Sequence, residues 1–214
     1  MPAARARSAG ITDLATRREF LAGRIALREF AAGILAVRPG DLTAAYACPD
    51  HGTGPEVDHG RPGYRLGQVP AGLVLSLSRS HGWALLAAGP AGPGGPGGAV
   101  RTADAAGDAA VTVGVDLEHS SGVTFPGFDD VALTPAERQL LAALTPDQAT
   151  LWRTAAWARK EALLKARGTG LRIEPASVEA YAEHRDGTIL VDLDTVALGL
   201  PPGFAAALAV TGAE

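Results

Sequence analysis

Cysteine is almost missing from this chain: Cys48 stands alone among 214 residues. No internal disulfide can form, which fits a reducing compartment, and a thiolate zinc site of the usual several-cysteine kind is excluded. Aromatic residues make up only 5% of the sequence, so any core must rest on Leu, Val, Ile and Ala. Positive charge is not in excess. A formal net charge of −4 and a pI near 5.7 argue against a broadly basic surface for nucleic acid, so an anionic ligand would have to be met by a local cluster of Arg and Lys. No stretch approaches the length of a membrane span. Met1 to Gly10 carries Arg5 and Arg7 but no apolar run of the secretory kind, so the expected address is the cytoplasm.

What is present is ordinary globular material. Apolar residues are 47% and charged residues 20%, and the length suffices for one large or two small domains. The interval from Thr12 to Val37 reads as a helix, with Phe20, Leu21, Ile25, Leu27, Phe30 and Ile34 at helical spacing and Pro39-Gly40 ending it. Cys48 to Gly67 is rich in Gly, Pro, Asp and His and reads as an irregular connection. Within it Cys48, His51 and His59 invite a metal reading, but three such residues in a loop without a second cysteine are more often incidental.

Leu73–Leu77 and Trp83–Ala88 read as strands around a tight turn at Ser80–Gly82. Residues 89–109 are nearly all small or polar and read as a flexible insertion with nothing to bury. No Gly-Lys-Ser/Thr follows, which sets a phosphate loop aside. Val111–Glu118 is a further strand. Thr134-Pro135-Ala136-Glu137 carries the N-cap, first-position proline and first-turn acid of a helix start. A second long helix is expected from Pro146 to Arg167, capped by Thr145 and ended by Gly168. Ile189–Leu193 and Phe204–Val210 complete the strands. The class expected is α+β, in two parts: residues 1–110, including the insertion, and residues 111–214.

Alternation in Val111–Glu118 places Thr112, Gly114, Asp116 and Glu118 on one strand face. Two acids at that spacing have Cα atoms about 6.5–7 Å apart, and both can reach one cation. Gly114 leaves room there for a ligand or for another backbone. In the long helix, Trp152, Ala156 and Leu163 form a core stripe. Glu161 and Lys165, one turn apart and flanked by Trp157 and Leu164, lie roughly opposite it. Such a pair is ordinarily a solvated ornament, but the indole and leucine beside it point to a second, partly buried face. Lys160 is directed away from Glu161, and its role stays open.

Gly114-Val115-Asp116-Leu117-Glu118, followed about forty residues on by Trp157…Lys160-Glu161-Ala162…Lys165…Gly168…Gly170, resembles the paired motifs of the Sfp-type 4′-phosphopantetheinyl transferases. Upstream, Phe20-Leu21-Ala22-Gly23-Arg24-Ile25-Ala26-Leu27-Arg28 is similar to that family's arginine-bearing helix. His59-Gly60-Arg61-Pro62 sits at its Gly-Lys/Arg-Pro element, and Ser76-Leu77-Ser78-Arg79-Ser80 resembles its Ser-x-Ser-His-Ser strand end. Arg79 there replaces a histidine and can hold a phosphate bidentately without titrating.

The resemblance implies two similar helix-plus-antiparallel-sheet halves related by a pseudo-two-fold axis. It implies transfer of the phosphopantetheinyl arm of coenzyme A to a serine of an apo acyl or peptidyl carrier protein, releasing adenosine 3′,5′-bisphosphate. Asp116, Glu118 and Glu161 would hold Mg²⁺, while Glu161, as proton acceptor, and Lys165 would serve catalysis. Arg24, Arg61, Ser78, Arg79 and Lys165 would bind coenzyme A. The implied partners are coenzyme A and the carrier, with no nucleic acid and no membrane, and a monomer is expected. A silent coenzyme A- or carrier-binding module of the same fold is the rival reading. The intact Asp116, Glu118, Glu161 and Lys165 favour the enzyme.

Overall fold

The structure, a computed structural model, describes residues 2–54, 56–91, 111–182 and 187–212. Most of the small-residue insertion expected at 89–109 therefore lies outside the described residues. The chain divides into two compact units, one of residues 1–77 and 86–112 and the other of residues 78–85 and 113–214.

In the first unit a short helix α1 (Pro2–Ala9) precedes the long helix α2 (Leu14–Leu35). Asp13 caps α2, its carboxylate accepting from the Thr16 backbone N–H at 2.7 Å. Ala36 ends it in the left-handed conformation, at φ 53°. The buried stripe of α2 is Phe20, Gly23, Leu27, Ala31 and Ala32, whereas Ile25 and Ile34 face solvent. Helical spacing found the helix, but the small residues Gly23, Ala31 and Ala32 carry the contact face, because close approach of other elements favours them over bulk.

Three strands, β1 (Leu42–Ala44), β2 (Tyr46–Cys48) and β3 (Gly52–Gly54), follow. The connection expected to be irregular, Cys48 to Gly67, thus contains β3, which pairs antiparallel with β2 so that Cys48 lies opposite Gly52. It also contains β4 (Tyr64–Leu66), which pairs antiparallel with β1 and with β5 (Val69–Pro70). Leu27, Ala31, Leu42, Tyr46, Cys48, Tyr64 and Leu75 make the core of this unit.

Strands β6 (Leu73–Ser80) and β7 (Trp83–Pro90) pair through a two-residue turn, in which His81 adopts a positive φ of 49°. The turn end of this hairpin groups with the second unit. There β8 (Thr112–His119) joins a three-stranded sheet of order β8–β10–β9, where β9 is Ile189–Asp192, β10 is Phe204–Thr211, and those two run antiparallel. Helices α3 (Phe128–Ala132) and α4 (Pro135–Leu141) lead into α5 (Pro146–Arg167). Both α4 and α5 open with a full capping box, Thr134 with Glu137 and Thr145 with Gln148, and Gly168 closes α5 as expected. The mixed helix and antiparallel-strand class is the one read from the sequence.

Gly114 decides how β8 meets α5. A Cβ built there would lie 2.0 Å from the Ala162 carbonyl oxygen and 2.4 Å from the Ala166 nitrogen. The space opposite this glycine therefore belongs to helix backbone and not to a ligand. Gly114→Ala is expected to destabilise the protein by about 3 kcal/mol, since neither backbone can retreat without breaking other packing. A denaturant midpoint unchanged from the wild type would contradict this close approach.

Candidate functional site

The face of β8 that meets α5 also carries Asp116 and Glu118, and the facing turns of α5 carry Glu161 and Lys165. Asp116 is buried, at 2% exposure. Its Oδ1 accepts a hydrogen bond from the Ser78 hydroxyl at 2.7 Å and pairs with the Lys165 ammonium. Lys165 also donates to Ser78 Oγ at 3.3 Å and to the Val115 carbonyl at 3.4 Å. The end of β6, the edge strand β8 and helix α5 thus each hold one corner of a Ser78–Asp116–Lys165 triangle, all within the second unit.

The other acids crowd this triangle. Burial, and next the charge of Asp116, push the Glu118 carboxyl up to about 8. Burial likewise raises Glu161, against the opposing pull of Lys165. One ammonium is thus set against three carboxyl groups. Two buried oxygens, Asp116 Oδ2 and Glu161 Oε1, have no hydrogen-bond partner. Buried oxygens of this kind are costly unless something positive meets them.

A hard divalent cation suits the donor set, which is all oxygen. The three acids do not already stand as a closed coordination group: among the described residues that arrangement belongs to Cys48, His51 and His59. On Asp116 the charge of Lys165 occupies one oxygen and leaves the other open.

Other sequence-predicted residues are dispersed. Arg79 follows Ser78 on β6 and is exposed. Arg24 and Arg61 belong to the first unit. Arg24 donates to the Asp58 backbone carbonyl and stacks over Tyr46 at 4.2 Å and Phe20 at 5.1 Å. It lines a cavity of about 250 Å³ together with Arg28, Tyr46, Asp58 and Tyr64. Arg61 is partly buried, and burial lowers its pKa. Its backbone bridges that of Ala47 in both directions, at 2.8 and 2.9 Å.

Sequence reasoning left two features unread. Lys160 is fully buried and bonds Glu137 Oε2 at 2.5 Å, the Ala132 carbonyl at 2.6 Å and the Pro175 carbonyl at 3.0 Å. It ties α5 to the end of α3, to α4 and to the turn at Pro175, and is a scaffold for the Glu161 turn beside it. His81 and His119, 4.3 Å apart between ring centroids, both contact the Ser121 hydroxyl at 2.9 Å. For neither feature does a local motif mark the partner.

Residues 112–200 match the family model described as ACPS, the 4′-phosphopantetheinyl transferase superfamily. That interval holds β8, α5 and every acid of the site. Among solved structures the chain is similar to the Thermotoga maritima holo-[acyl-carrier-protein] synthase (AcpS), at 22% identity and a TM-score of 0.36, covering 48% of this chain. The match spans 63% of that synthase's length. No curated protein matches the chain in sequence.

Proposed function

Residues 112–200 match the model of the 4′-phosphopantetheinyl transferase superfamily, and from that premise we propose that the chain is a member which moves the phosphopantetheinyl arm of coenzyme A onto a serine of an apo carrier protein. The observation that carries this reading is the crowding of Asp116, Glu118 and Glu161 around a single ammonium, with two of their buried oxygens unpartnered. Such a group is built to receive positive charge, and transfer from a pyrophosphate demands it.

Asp116, Glu118 and Glu161 are the residues that would hold Mg²⁺. Bound there, the ion would neutralise the pyrophosphate and stabilise the departing adenosine 3′,5′-bisphosphate. Ser78 fixes the rotamer of Asp116 through its 2.7 Å hydrogen bond. Lys165 places a fixed positive charge where negative charge grows as the phosphorus–oxygen bond breaks. Glu161, whose carboxyl burial makes more basic, takes the proton from the attacking serine hydroxyl. The serine oxygen forms the new bond to the β-phosphorus, and the bond from that phosphorus to the leaving bisphosphate breaks.

Arg24 and Arg28 supply two cations against the single carboxylate of Asp58 at the cavity of the first unit, and Asp58 is already shared with Arg7 at 3.6 Å. The local excess is positive and suits a phosphate of coenzyme A. Arg24→Ala is expected to raise the KM for coenzyme A about tenfold or more with little change in kcat, the loss of one charge-assisted hydrogen bond. A KM within twofold of the wild type would remove Arg24 from the binding site.

The reading is tested by incubating the purified protein with apo-carrier protein, coenzyme A and Mg²⁺ and weighing the carrier. The expected product is a carrier heavier by one phosphopantetheinyl group. Carriers from fatty-acid, polyketide and nonribosomal-peptide assembly that all remain unmodified would favour the silent binding module instead.

A further inference from the structure

Outside the acid site, Cys48, His51 and His59 present one ligand atom each, all within 4.8 Å of one another. Cys48 Sγ lies 3.3 Å from His51 Nδ1, and His51 Nδ1 lies 3.0 Å from His59 Nε2. A tetrahedral zinc with ordinary bond lengths separates its sulfur and nitrogen ligands by about 3.3–3.6 Å, so two of the three separations stand near that value, and the third, within 4.8 Å, closes by a side-chain adjustment on binding.

The backbone enforces this meeting. Cys48 ends β2 and pairs with Gly52 across the β2–β3 turn that carries His51. His59 is brought in from the far end of the loop by the bridge between Ala47 and Arg61. Gly60 permits that approach: a Cβ there would lie 2.2 Å from the Ala47 carbonyl oxygen.

A second observation points to a bound ion. The far ring nitrogen of His59, Nδ1, lies 3.5 Å from Asp58 Oδ1, the carboxylate–histidine arrangement that orients metal-bound imidazoles and makes them better donors. Asp58 is buried at 9% exposure, and its other oxygen has no hydrogen-bond partner. Cys48 is buried, His59 half-buried and His51 exposed. A fourth ligand position therefore opens to water.

We propose that Cys48, His51 and His59 bind a borderline divalent transition ion, Zn²⁺ foremost, with water as the fourth ligand and Asp58 orienting His59. One thiolate and two imidazoles select such an ion over Mg²⁺ or Ca²⁺, which prefer oxygen. The ion would clamp the two ends of the loop between β2 and Gly60-Arg61-Pro62, fixing the segment from which Arg61 projects. This site is separate from the acids of β8 and α5, and it stands whether or not the chain transfers phosphopantetheine.

Cobalt(II) titration of the full-length, metal-stripped protein tests this. One equivalent of Co²⁺ is expected to give a near-ultraviolet thiolate-to-cobalt charge-transfer band, discharged by one equivalent of Zn²⁺ but not by Mg²⁺. Because Cys48 is the sole thiol, Cys48→Ser should abolish the band. His59→Ala should weaken Zn²⁺ binding at least about tenfold, with circular dichroism confirming that both variants fold. The wild-type protein alone can overturn the inference, by showing no thiolate band. A band that survives Cys48→Ser, or Zn²⁺ affinity unchanged in His59→Ala, would overturn it equally.

Discussion

Asp116→Ala is expected to slow phosphopantetheinyl transfer by about a hundred- to a thousandfold, the scale of losing one preorganised electrostatic partner at a reacting centre. The substitution would remove three things together: the acceptor for Ser78, the counter-charge of Lys165, and an open buried oxygen suited to a cation. The fold should survive, because relieving repulsion on Glu118 and Glu161 offsets the lost pairing. Asp116→Asn sharpens the test. It keeps the shape and can still accept from Ser78, yet it lacks the charge, so it should lose a comparable factor. Initial rates from carrier mass spectra, with thermal melts as the control for folding, provide the check. Activity within tenfold of the wild type in Asp116→Asn would show that the charge at this position does not serve the reaction.

Lys160→Met is expected to cost the second unit about 3–5 kcal/mol, a loss of scaffold rather than of chemistry. The ammonium is inaccessible to solvent, Glu137 and Ala132 are buried with it, and Pro175 is partly buried. Removing it strands the Glu137 carboxylate, whose oxygens also accept from the backbone N–H groups of Thr134 and Ala180 at 2.9 and 2.7 Å. Replacing Glu137 with Gln in the same protein removes the stranded charge and should recover part of the loss. Chemical denaturation of the two variants measures both effects. A single variant as stable as the wild type would mean that this ion pair merely offsets its own desolvation. Since α4, the turn at Pro175 and α5 are all tied at Lys160, transfer activity should fall in step with stability and recover with the double variant.

Much of this architecture could be read from local signals. The bounds of α5 follow from Thr145, Pro146 and Gly168, each of which acts within one turn of its own position. Strands β8 and β10 follow from apolar runs, and the hairpin turn from Ser80–Gly82. The shared face of Asp116 and Glu118 needs only the two-residue period of a strand. What escaped the sequence depends on partners far along the chain. Lys160 looked like one more helix lysine because Glu137 lies 23 residues before it. Gly114 was compatible with a ligand or a backbone until Ala162 and Ala166 were seen against it. The segment from Cys48 to Gly67 read as loop because its Gly, Pro and His content hides strands of three residues, each held by pairing rather than propensity. The same loop content made a metal reading of Cys48, His51 and His59 look incidental, because the bridge between Ala47 and Arg61 that helps gather them has no mark in the sequence. Ile25 and Ile34 fit the helical spacing yet face solvent, because the buried face of α2 falls on Phe20, Gly23, Leu27, Ala31 and Ala32.

The claim on which the functional account turns is that the acids of β8 and α5 bind one divalent ion through carboxylate oxygens. Mn²⁺ serves as a paramagnetic stand-in, and its electron spin resonance distinguishes free from protein-bound ion directly, without reference to turnover. With Cys48→Ser as the background, to silence the thiol-containing cluster, the account predicts one bound Mn²⁺ per chain, displaced by excess Mg²⁺ and lost on adding Asp116→Ala. Equal Mn²⁺ binding with and without Asp116, or none in either protein even with coenzyme A present, would contradict it.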